Sequence, residues 1–268
     1  MTLTRLGQVW RCALAVAALS LCAATDAGSQ IRRESDLHAR LAREPMTFFV
    51  AQGGENACGQ GCSKWIAATG QFDKGAAARF SAFVNRPDTK DLPVYLNSTG
   101  GLTDEGLEFG RFLRTSGMRA GVAATKPDCG KLAPLECKAA MAAGRPIAAS
   151  FSGNGTCSSA CVFALLGATV RSVADDGKVG VHSTAFFCFR DEDGSLVQPV
   201  GRSKDAFDCR KKLGVRAEQF ARYVADMGIS SELIAAMNSV PSSRIRFLTR
   251  DEIRRYGIER NEQTPITQ

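Results

Sequence analysis

The sequence predicts an α/β fold with a largely parallel sheet. In the middle of the chain, short apolar runs alternate with amphipathic segments of helical length, as at 94–96, 103–116 and 119–124. This alternation is typical of parallel strands joined by right-handed helical crossovers. Without an N-terminal leader about 240 residues remain, which is enough for one α/β domain and too few for two.

Residues 1–27 predict a bacterial secretory signal. Arg5 and Arg11 form the positively charged n-region, and Cys12 to Ala24 form the apolar h-region. Because this apolar run is too short to span a bilayer, we expect cleavage and export to the periplasm or beyond, with no stable membrane span. Lipid anchoring through Cys22 is disfavoured because the bulky Leu21 precedes it.

The rest of the chain divides into a charged segment at 28–45, one domain at 46–260 and a C-terminal tail at 261–268. In the full chain, 34 Lys and Arg outnumber 27 Asp and Glu, but the two signs are interspersed and few aromatic residues lie between them. We therefore expect a solvated basic surface and no nucleic-acid partner. We also expect no cofactor and no metal.

The cysteines agree with export. Two of the ten belong to the leader, and an even number remains, which in an exported chain predicts disulfides. The eight candidates are Cys58, Cys62, Cys129, Cys137, Cys157, Cys161, Cys188 and Cys209. Proximity favours Cys129 with Cys137 and Cys188 with Cys209. The two Cys-x-x-x-Cys pairs can bond locally, cross-link to one another or form a zinc site, and an oxidising compartment disfavours zinc.

The chemistry is predicted to centre on 155–168. A polar turn containing Gly155 leads into an apolar run that is typical of a buried helix with a serine in its first turn. Unpaired N–H groups at a helix N-terminus favour developing negative charge, as an acyl-transfer nucleophile requires. Ser158 and Ser159 are the two serines at this position.

A nucleophilic serine needs a base, and the chain has only two histidines. His182 ends a predicted strand after Ser159, whereas His38 lies in the charged N-terminal segment and is a poor candidate. Upstream, Gly100 and Gly101 form a turn between a strand and a helix, where backbone N–H groups can face a ligand.

Apolar periodicity predicts the remaining elements. Strands are expected at 46–50, 65–68, 147–151 and 179–182, and helices at 32–44, 74–85, 136–143, 215–227 and 232–238. A last helix is expected between an N-cap at Thr249 and a C-terminal Gly257.

Four short motifs resemble the Clp protease proteolytic subunit in their order and approximate spacing. They are Leu-Asn-Ser-Thr-Gly-Gly ending at Gly101, Ser-Ala-Cys-Val-Phe from Ser159, Gly-Val-His ending at His182, and the closing segment 247–258. The resemblance covers 94–258, with 126–146 and 183–209 divergent. It is closer still to exported bacterial Clp-protease-like proteins with a Cys-x-Ser-Ala-Cys signature.

This resemblance implies the ClpP/crotonase-like repeated ββα superhelix. It also implies Ser159 as nucleophile with Ser158 as N-cap, and the reverse assignment of the two serines stays open. His182 is implied as general base, and the N–H groups of Gly101 and Ala160 as the oxyanion hole. The family's aspartate is expected near Val240, where the chain has no carboxylate.

The third triad member is therefore open. Asn238, Ser239 and Ser242 are the nearby polar side chains, and a Ser–His dyad is the alternative. Loss of the orienting carboxylate from a complete Ser-His-Asp triad can cost about 10⁴ in turnover.

We accordingly expect a periplasmic serine hydrolase, a ClpP-like serine peptidase acting on a peptide or protein substrate. The alternative is a non-catalytic peptide-binding or scaffold protein of the cell envelope. An acyl-CoA enzyme is disfavoured by export. A homo-oligomer is expected only by analogy with the fold. A ring is not expected, because the segment that assembles the Clp subunit into rings is replaced in this chain by 183–209.

Overall fold

The structure is a computed structural model that describes residues 44–89, 91–184, 189–190, 196–197 and 216–261. The strands are β1 (Thr47–Gln52), β2 (Lys64–Thr69), β3 (Val94–Asn97), β4 (Arg119–Val122), β5 (Ala124–Pro127), β6 (Ile147–Ser152), β7 (Thr156–Ser158), β8 (Val170–Val173), β9 (Lys178–Val181), β10 (Phe189–Arg190), β11 (Leu196–Val197) and β12 (Arg246–Phe247). The helices are α1 (Ala76–Val84), α2 (Thr103–Thr115), α3 (Pro134–Ala142), α4 (Ala160–Gly167), α5 (216–226), α6 (Glu232–Asn238) and α7 (Arg250–Arg255), and a 3-10 turn covers Pro87–Thr89.

A seven-stranded sheet in the order β5-β6-β1-β2-β3-β4-β8 forms the framework. β5 runs antiparallel to β6 and β1 antiparallel to β2, whereas the other four neighbouring pairs are parallel. Helix α1 connects β2 to β3 and helix α2 connects β3 to β4, as parallel neighbours require. The predicted α/β class with a largely parallel sheet is confirmed.

Both faces of the large sheet are covered. On one face, Ile66 and Leu96 pack into a core that includes the stacked rings of Phe80 and Phe109, whose centroids lie 4.1 Å apart. On the other face, Trp65 belongs to a separate apolar cluster. Burial on both sides explains why β2 is a nearly continuous apolar run and does not alternate with polar residues.

A smaller sheet in the order β12-β9-β7 lies next to helix α4. β7 and β9 are parallel, and β12 is antiparallel to β9. Every residue of α4 is buried, as the sequence predicted. Helix α2 approaches α4 so closely that a Cβ at Gly106 would lie 2.2 Å from the carbonyl oxygen of Ala160. This contact leaves α4 no freedom to shift toward α2.

Several predicted elements need correction. The predicted strand at 119–124 is divided into β4 and β5, and β8 was not predicted at all. The polar turn expected before α4 is β7, a strand that buries Thr156 and Ser158 because neighbouring backbone and amide groups bond to its backbone. The predicted leader at 1–27 and residues 32–43 of the first predicted helix lie outside the described residues.

Three disulfides are present in the described part of the chain. Cys58 bonds to Cys62, Cys129 to Cys137 and Cys157 to Cys161. Both Cys-x-x-x-Cys pairs are therefore local, and Cys188 and Cys209 lie outside the described residues. Across the described residues, no group of three potential ligands could hold a metal ion. None of the described helices is long and apolar enough to cross a membrane.

Candidate active site

Ser159 occupies a sharp turn between a strand and a helix. β7 ends at Ser158 and α4 begins at Ala160, and Ser159 between them has φ 57° and ψ −121°. A positive φ is uncommon for a residue with a Cβ and costs roughly 1–3 kcal/mol. In serine hydrolases a strained turn of this kind projects the nucleophile away from the backbone. The backbone of Ser159 is thus compatible with that role.

The strained turn is held from both sides. The N–H of Ser159 donates to the carbonyl oxygen of Gly180 at 2.9 Å, and its own carbonyl accepts from Val162 at 3.0 Å. The disulfide between Cys157 and Cys161 joins β7 to α4 across the turn, and both cysteines are completely buried. The position of the Ser159 side chain is therefore fixed by neighbouring residues in sequence and in space.

The end of β3 fixes β7 relative to the Gly-Gly turn. Asn97 is buried, and its Oδ1 accepts from the N–H of Thr156 at 3.0 Å. The N–H of Ser98 donates to the carbonyl oxygen of Thr156, and the carbonyl oxygen of Ser98 accepts from the N–H of Ser158. These bonds place the turn at Gly100 directly against Ser159.

The two glycines have different surroundings. Gly100 has φ 112°, and a Cβ there would lie 2.6 Å from the Cβ of Ser159. Its N–H donates to Ser98 Oγ at 3.1 Å. The carbonyl oxygen of Gly100 and the N–H of Leu102 pair with the backbone of Phe72. The intervening N–H of Gly101 consequently points to the opposite side of the strand.

Ala160 is the first residue of α4, so its N–H has no intrahelical partner. This group and the N–H of Gly101 are the two predicted oxyanion donors. Their function as an oxyanion hole stays a prediction.

His182 follows β9 and contacts Ser159 directly. Its Nε2 lies 2.7 Å from Ser159 Oγ, within hydrogen-bond reach. Its Nδ1 lies 2.8 Å from the carbonyl oxygen of Ser183. Because a carbonyl oxygen only accepts, we assign the proton to Nδ1, and Nε2 is then free to accept the hydroxyl proton.

None of the predicted third members makes a described hydrogen bond to this histidine. Asn238, Ser239 and Ser242 are exposed, and Ser239 Oγ donates instead to the carbonyl oxygen of Ala236 at 2.7 Å. A third triad member stays a prediction. Val240 instead contributes its backbone, because its carbonyl oxygen accepts from the N–H of Ser183 at 2.8 Å. The region in which the resemblance placed an aspartate therefore holds Ser183, the residue whose carbonyl oxygen contacts the imidazole.

Ser158 has a different environment from its neighbour. It is 2% exposed, and its Oγ makes no hydrogen bond within the described residues. A Cβ at Gly180 would lie 2.3 Å from this oxygen, so the hydroxyl packs against β9. The expectation that Ser158 is the N-cap is wrong, because Ser158 belongs to β7 and Ser159 itself holds the N-cap position.

Arg171 anchors the far end of α4, which the sequence did not indicate. Its guanidinium is completely enclosed and donates to the carbonyl oxygens of Leu166 and Ala168 at 3.0 and 2.9 Å. It also donates to Ile258 and Gly257 at 2.8 and 3.0 Å. Burial lowers the pKa of Arg171 to about 9. A cation at this end complements the helix dipole.

Apolar side chains lie on both sides of the Ser–His pair. Leu102, next to the Gly-Gly turn, is 52% exposed. On the other side, Ile245 and Phe247 are exposed beside β9, and a Cβ at Gly180 would lie 2.7 Å from Ile245 Cγ2. Exposed apolar side chains are thus present in the segments next to the Gly-Gly turn and next to β9.

No protein-family model and no curated protein matches the chain. Solved structures do match. The fold is similar to that of ClpP1 from Listeria monocytogenes, at 15% identity and a TM-score of 0.39 over 70% of this chain and 84% of that chain. It is also similar to the 1510-N membrane-bound stomatin-specific protease. One mutant of that protease matches at 12% identity and a TM-score of 0.40, over 70% of this chain and 73% of that chain. A second, in complex with a substrate peptide, has the same identity and TM-score over 70% and 69%. At these values the matches concern the fold alone, and the chemistry has to be argued from the residues of this chain.

Proposed function

We propose that the protein is a serine hydrolase, and specifically a peptidase that uses a Ser159–His182 dyad. The observation that carries the proposal is the 2.7 Å separation between Ser159 Oγ and His182 Nε2, with the serine on a strained strand-to-helix turn. A nucleophile in contact with a base that is itself oriented by a third group is the arrangement that acyl transfer requires.

In the proposed reaction, Ser159 Oγ attacks the scissile carbonyl carbon while His182 Nε2 takes the hydroxyl proton. The N–H groups of Gly101 and Ala160 donate to the resulting oxyanion. The protonated His182 gives its proton to the leaving amine, and an acyl-enzyme remains. Water then attacks this ester, with His182 as base again, and releases the second product and free Ser159.

The imidazolium formed in this reaction is stabilised by the carbonyl dipole of Ser183 in place of a carboxylate. A dipole stabilises a full positive charge less than an anion at the same distance does. We therefore expect slow turnover, with a nucleophile that is easier to detect by covalent labelling than by substrate hydrolysis.

An extended peptide beside the Gly-Gly turn is the proposed substrate. One side of this backbone is paired with Phe72, and the opposite side carries the N–H of Gly101. A peptide added along this side gains backbone hydrogen bonds, and Leu102 offers an apolar contact. The predicted leader and the three disulfides support action in an oxidising compartment, for which we propose the periplasm.

The decisive experiment is labelling of the purified, oxidised protein with a fluorophosphonate. We expect labelling of the wild type and none of Ser159→Ala. Ser158→Ala is the matched control, because the Ser158 hydroxyl makes no hydrogen bond in the described structure and its loss leaves Ser159 in place. Undiminished labelling of Ser159→Ala would falsify the assignment.

A second candidate function is non-catalytic peptide binding by a cell-envelope scaffold protein. It is favoured by one observation, the backbone carbonyl that stands at His182 Nδ1 in place of a carboxylate. This candidate predicts peptide binding that is equal in wild type and Ser159→Ala, with no fluorophosphonate adduct in either. Any Ser159-dependent hydrolysis excludes it.

A further inference from the structure

The segment 126–145, which we call the stapled excursion, carries the most exposed leucine in the described part of the chain. Leu135 in α3 is 80% exposed and Leu132 in the preceding turn is 47% exposed. Neither belongs to either apolar core cluster. Two leucines presented to solvent this close together are unusual for a protein surface without a partner.

Helix α3 directs one stripe of residues outward. Leu135, Lys138, Ala139 and Ala142 are spaced at three and four residues and all are exposed. Among the residues of α3 only Met141 is buried. The helix therefore lies on the surface, with an outward stripe that combines apolar and basic side chains.

In the stapled excursion the acidic side chains have hydrogen-bond partners, whereas the basic side chains have no described ion-pair partner. Its two carboxylates accept from nearby backbone N–H groups, Asp128 from Gly130 and Glu136 from Ala133. The side chains of Lys126, Lys131, Lys138 and Arg145 are exposed and make no ion pair with any described residue. Four exposed cations without a described ion-pair partner thus lie in the same segment as the two leucines.

The excursion is held in one shape. The disulfide between Cys129 and Cys137 closes it, and Glu136 caps the helix N-terminus. At the other end, Arg86 Nη2 donates to the carbonyl oxygen of Ala142 at 3.1 Å. A rigid surface loses little conformational entropy when it binds.

We propose that the stapled excursion is a docking surface for membranes that contain anionic phospholipids. Leu132 and Leu135 enter the interfacial region, and the four basic side chains contact lipid phosphates. A protein partner fits less well, because two leucines, one on a short helix and one in the turn before it, are too small a core for a stable protein interface. Adsorption of this kind needs no membrane-spanning helix. It is also independent of the chemistry proposed for Ser159.

The test is co-sedimentation of the purified, oxidised protein with vesicles of phosphatidylcholine alone or mixed with an equal part of phosphatidylglycerol. We expect binding to the mixed vesicles only, weakened by added salt because exposed charges are screened. Leu132→Ser with Leu135→Ser should abolish most of it. Lys131→Glu with Lys138→Glu should lower the affinity at least about 25-fold, since each basic residue near an anionic surface contributes about fivefold.

The matched control is Lys64→Glu with Lys74→Glu, which changes the net charge equally at two exposed lysines elsewhere. It should weaken binding far less than the excursion pair. Thermal unfolding and fluorophosphonate labelling of each variant check that the fold is kept. The proposal is overturned if the wild type does not bind the anionic vesicles, or if the leucine double variant binds them as well as the wild type does. It is also overturned if the two lysine double variants lose the same amount of vesicle binding. Binding to polyglutamate without binding to vesicles overturns it in favour of an acidic protein partner.

Discussion

The carbonyl oxygen of Ser183 lies 2.8 Å from Nδ1 of His182, the residue that precedes it. Ser183 is also held through its N–H, which donates to the carbonyl oxygen of Val240. A backbone group thus orients the imidazole from a place in which serine peptidases hold a carboxylate. The imidazole is oriented, but among the described residues no carboxylate bonds to it that would stabilise an imidazolium.

His182→Ala should remove the base without disturbing the nucleophile. We expect fluorophosphonate labelling of Ser159 to slow by about 10³-fold or more, because an unassisted serine hydroxyl is a weak nucleophile. The rate is measured by mass spectrometry of the intact protein. Labelling at the wild-type rate would mean that His182 is not the base.

The disulfide next to the nucleophile should matter more to labelling than one of the same spacing elsewhere. Replacing Cys157 and Cys161 by alanine is expected to cost about 2 kcal/mol of unfolding free energy from loop closure, with an added cost for the buried cavity. Since the disulfide supports the strained φ of Ser159, labelling should fall at least about tenfold in protein that is still folded.

Cys58→Ala with Cys62→Ala is the control, because that disulfide also joins residues four positions apart. It should destabilise the protein while labelling per folded molecule is unchanged. Equal loss of labelling in both double variants would show that the Cys157–Cys161 disulfide acts only through global stability.

Gly100→Ala should displace the nucleophile. A methyl group there would lie 2.6 Å from the Cβ of Ser159 and 2.8 Å from the carbonyl oxygen of Ser158, so the turn must move. Gly59→Ala is matched in backbone conformation, with φ 116° against 112°, and has nothing within 4 Å. Both variants bear the strain of a positive φ, roughly 1–2 kcal/mol, but only Gly100→Ala should lose labelling. Retained labelling in Gly100→Ala contradicts the described contact.

The stability of helix α7 should depend on pH through Glu252. This carboxylate accepts from the N–H of Thr249 and pairs with Arg246, and the first of these bonds contributes most to holding its pKa below the usual value of 4.5. A lowered pKa gives stability that is present above the unfolded value and is lost as the pH falls through the folded one.

Glu252→Gln should therefore cost about 0.5–1 kcal/mol at neutral pH, measured by urea unfolding, and the difference from wild type should disappear in acid. An equal difference at neutral and acid pH would mean that the side-chain charge is not responsible.

The sequence was sufficient to predict that helix α4, which follows Ser159, is buried, because an uninterrupted apolar run has few alternatives to burial. It was also sufficient for the pairing of Ser159 with His182, since the scarcity of histidines left one candidate. The sequence was insufficient to predict strand β7, because the polar residues Thr156 and Ser158 are typical of a turn. In the structure they are in a strand because the Asn97 side chain and the Ser98 backbone form hydrogen bonds with their backbone. Such partners are distant in sequence and leave no local pattern.

The function of the Ser183 carbonyl could not be predicted by any residue pattern, because every residue has a backbone carbonyl. The buried Arg171 was missed for a related reason. Its partners are four backbone oxygens and no carboxylate, so no complementary charge in the sequence indicates it.

The hydrogen bonds from Arg171 to Gly257 and Ile258 can form only after both of these later residues have been synthesised. The ribosome synthesises Arg171 long before these two residues. Val240, whose carbonyl oxygen accepts from the N–H of Ser183, is also synthesised long after His182. A nascent chain whose synthesis has not reached Val240 therefore lacks the bonds from Arg171 to Gly257 and Ile258 and the support that Val240 gives to Ser183. The proposed Ser–His site is consequently completed only after residues 240–258 have been synthesised, and a shorter nascent chain is expected to be inactive.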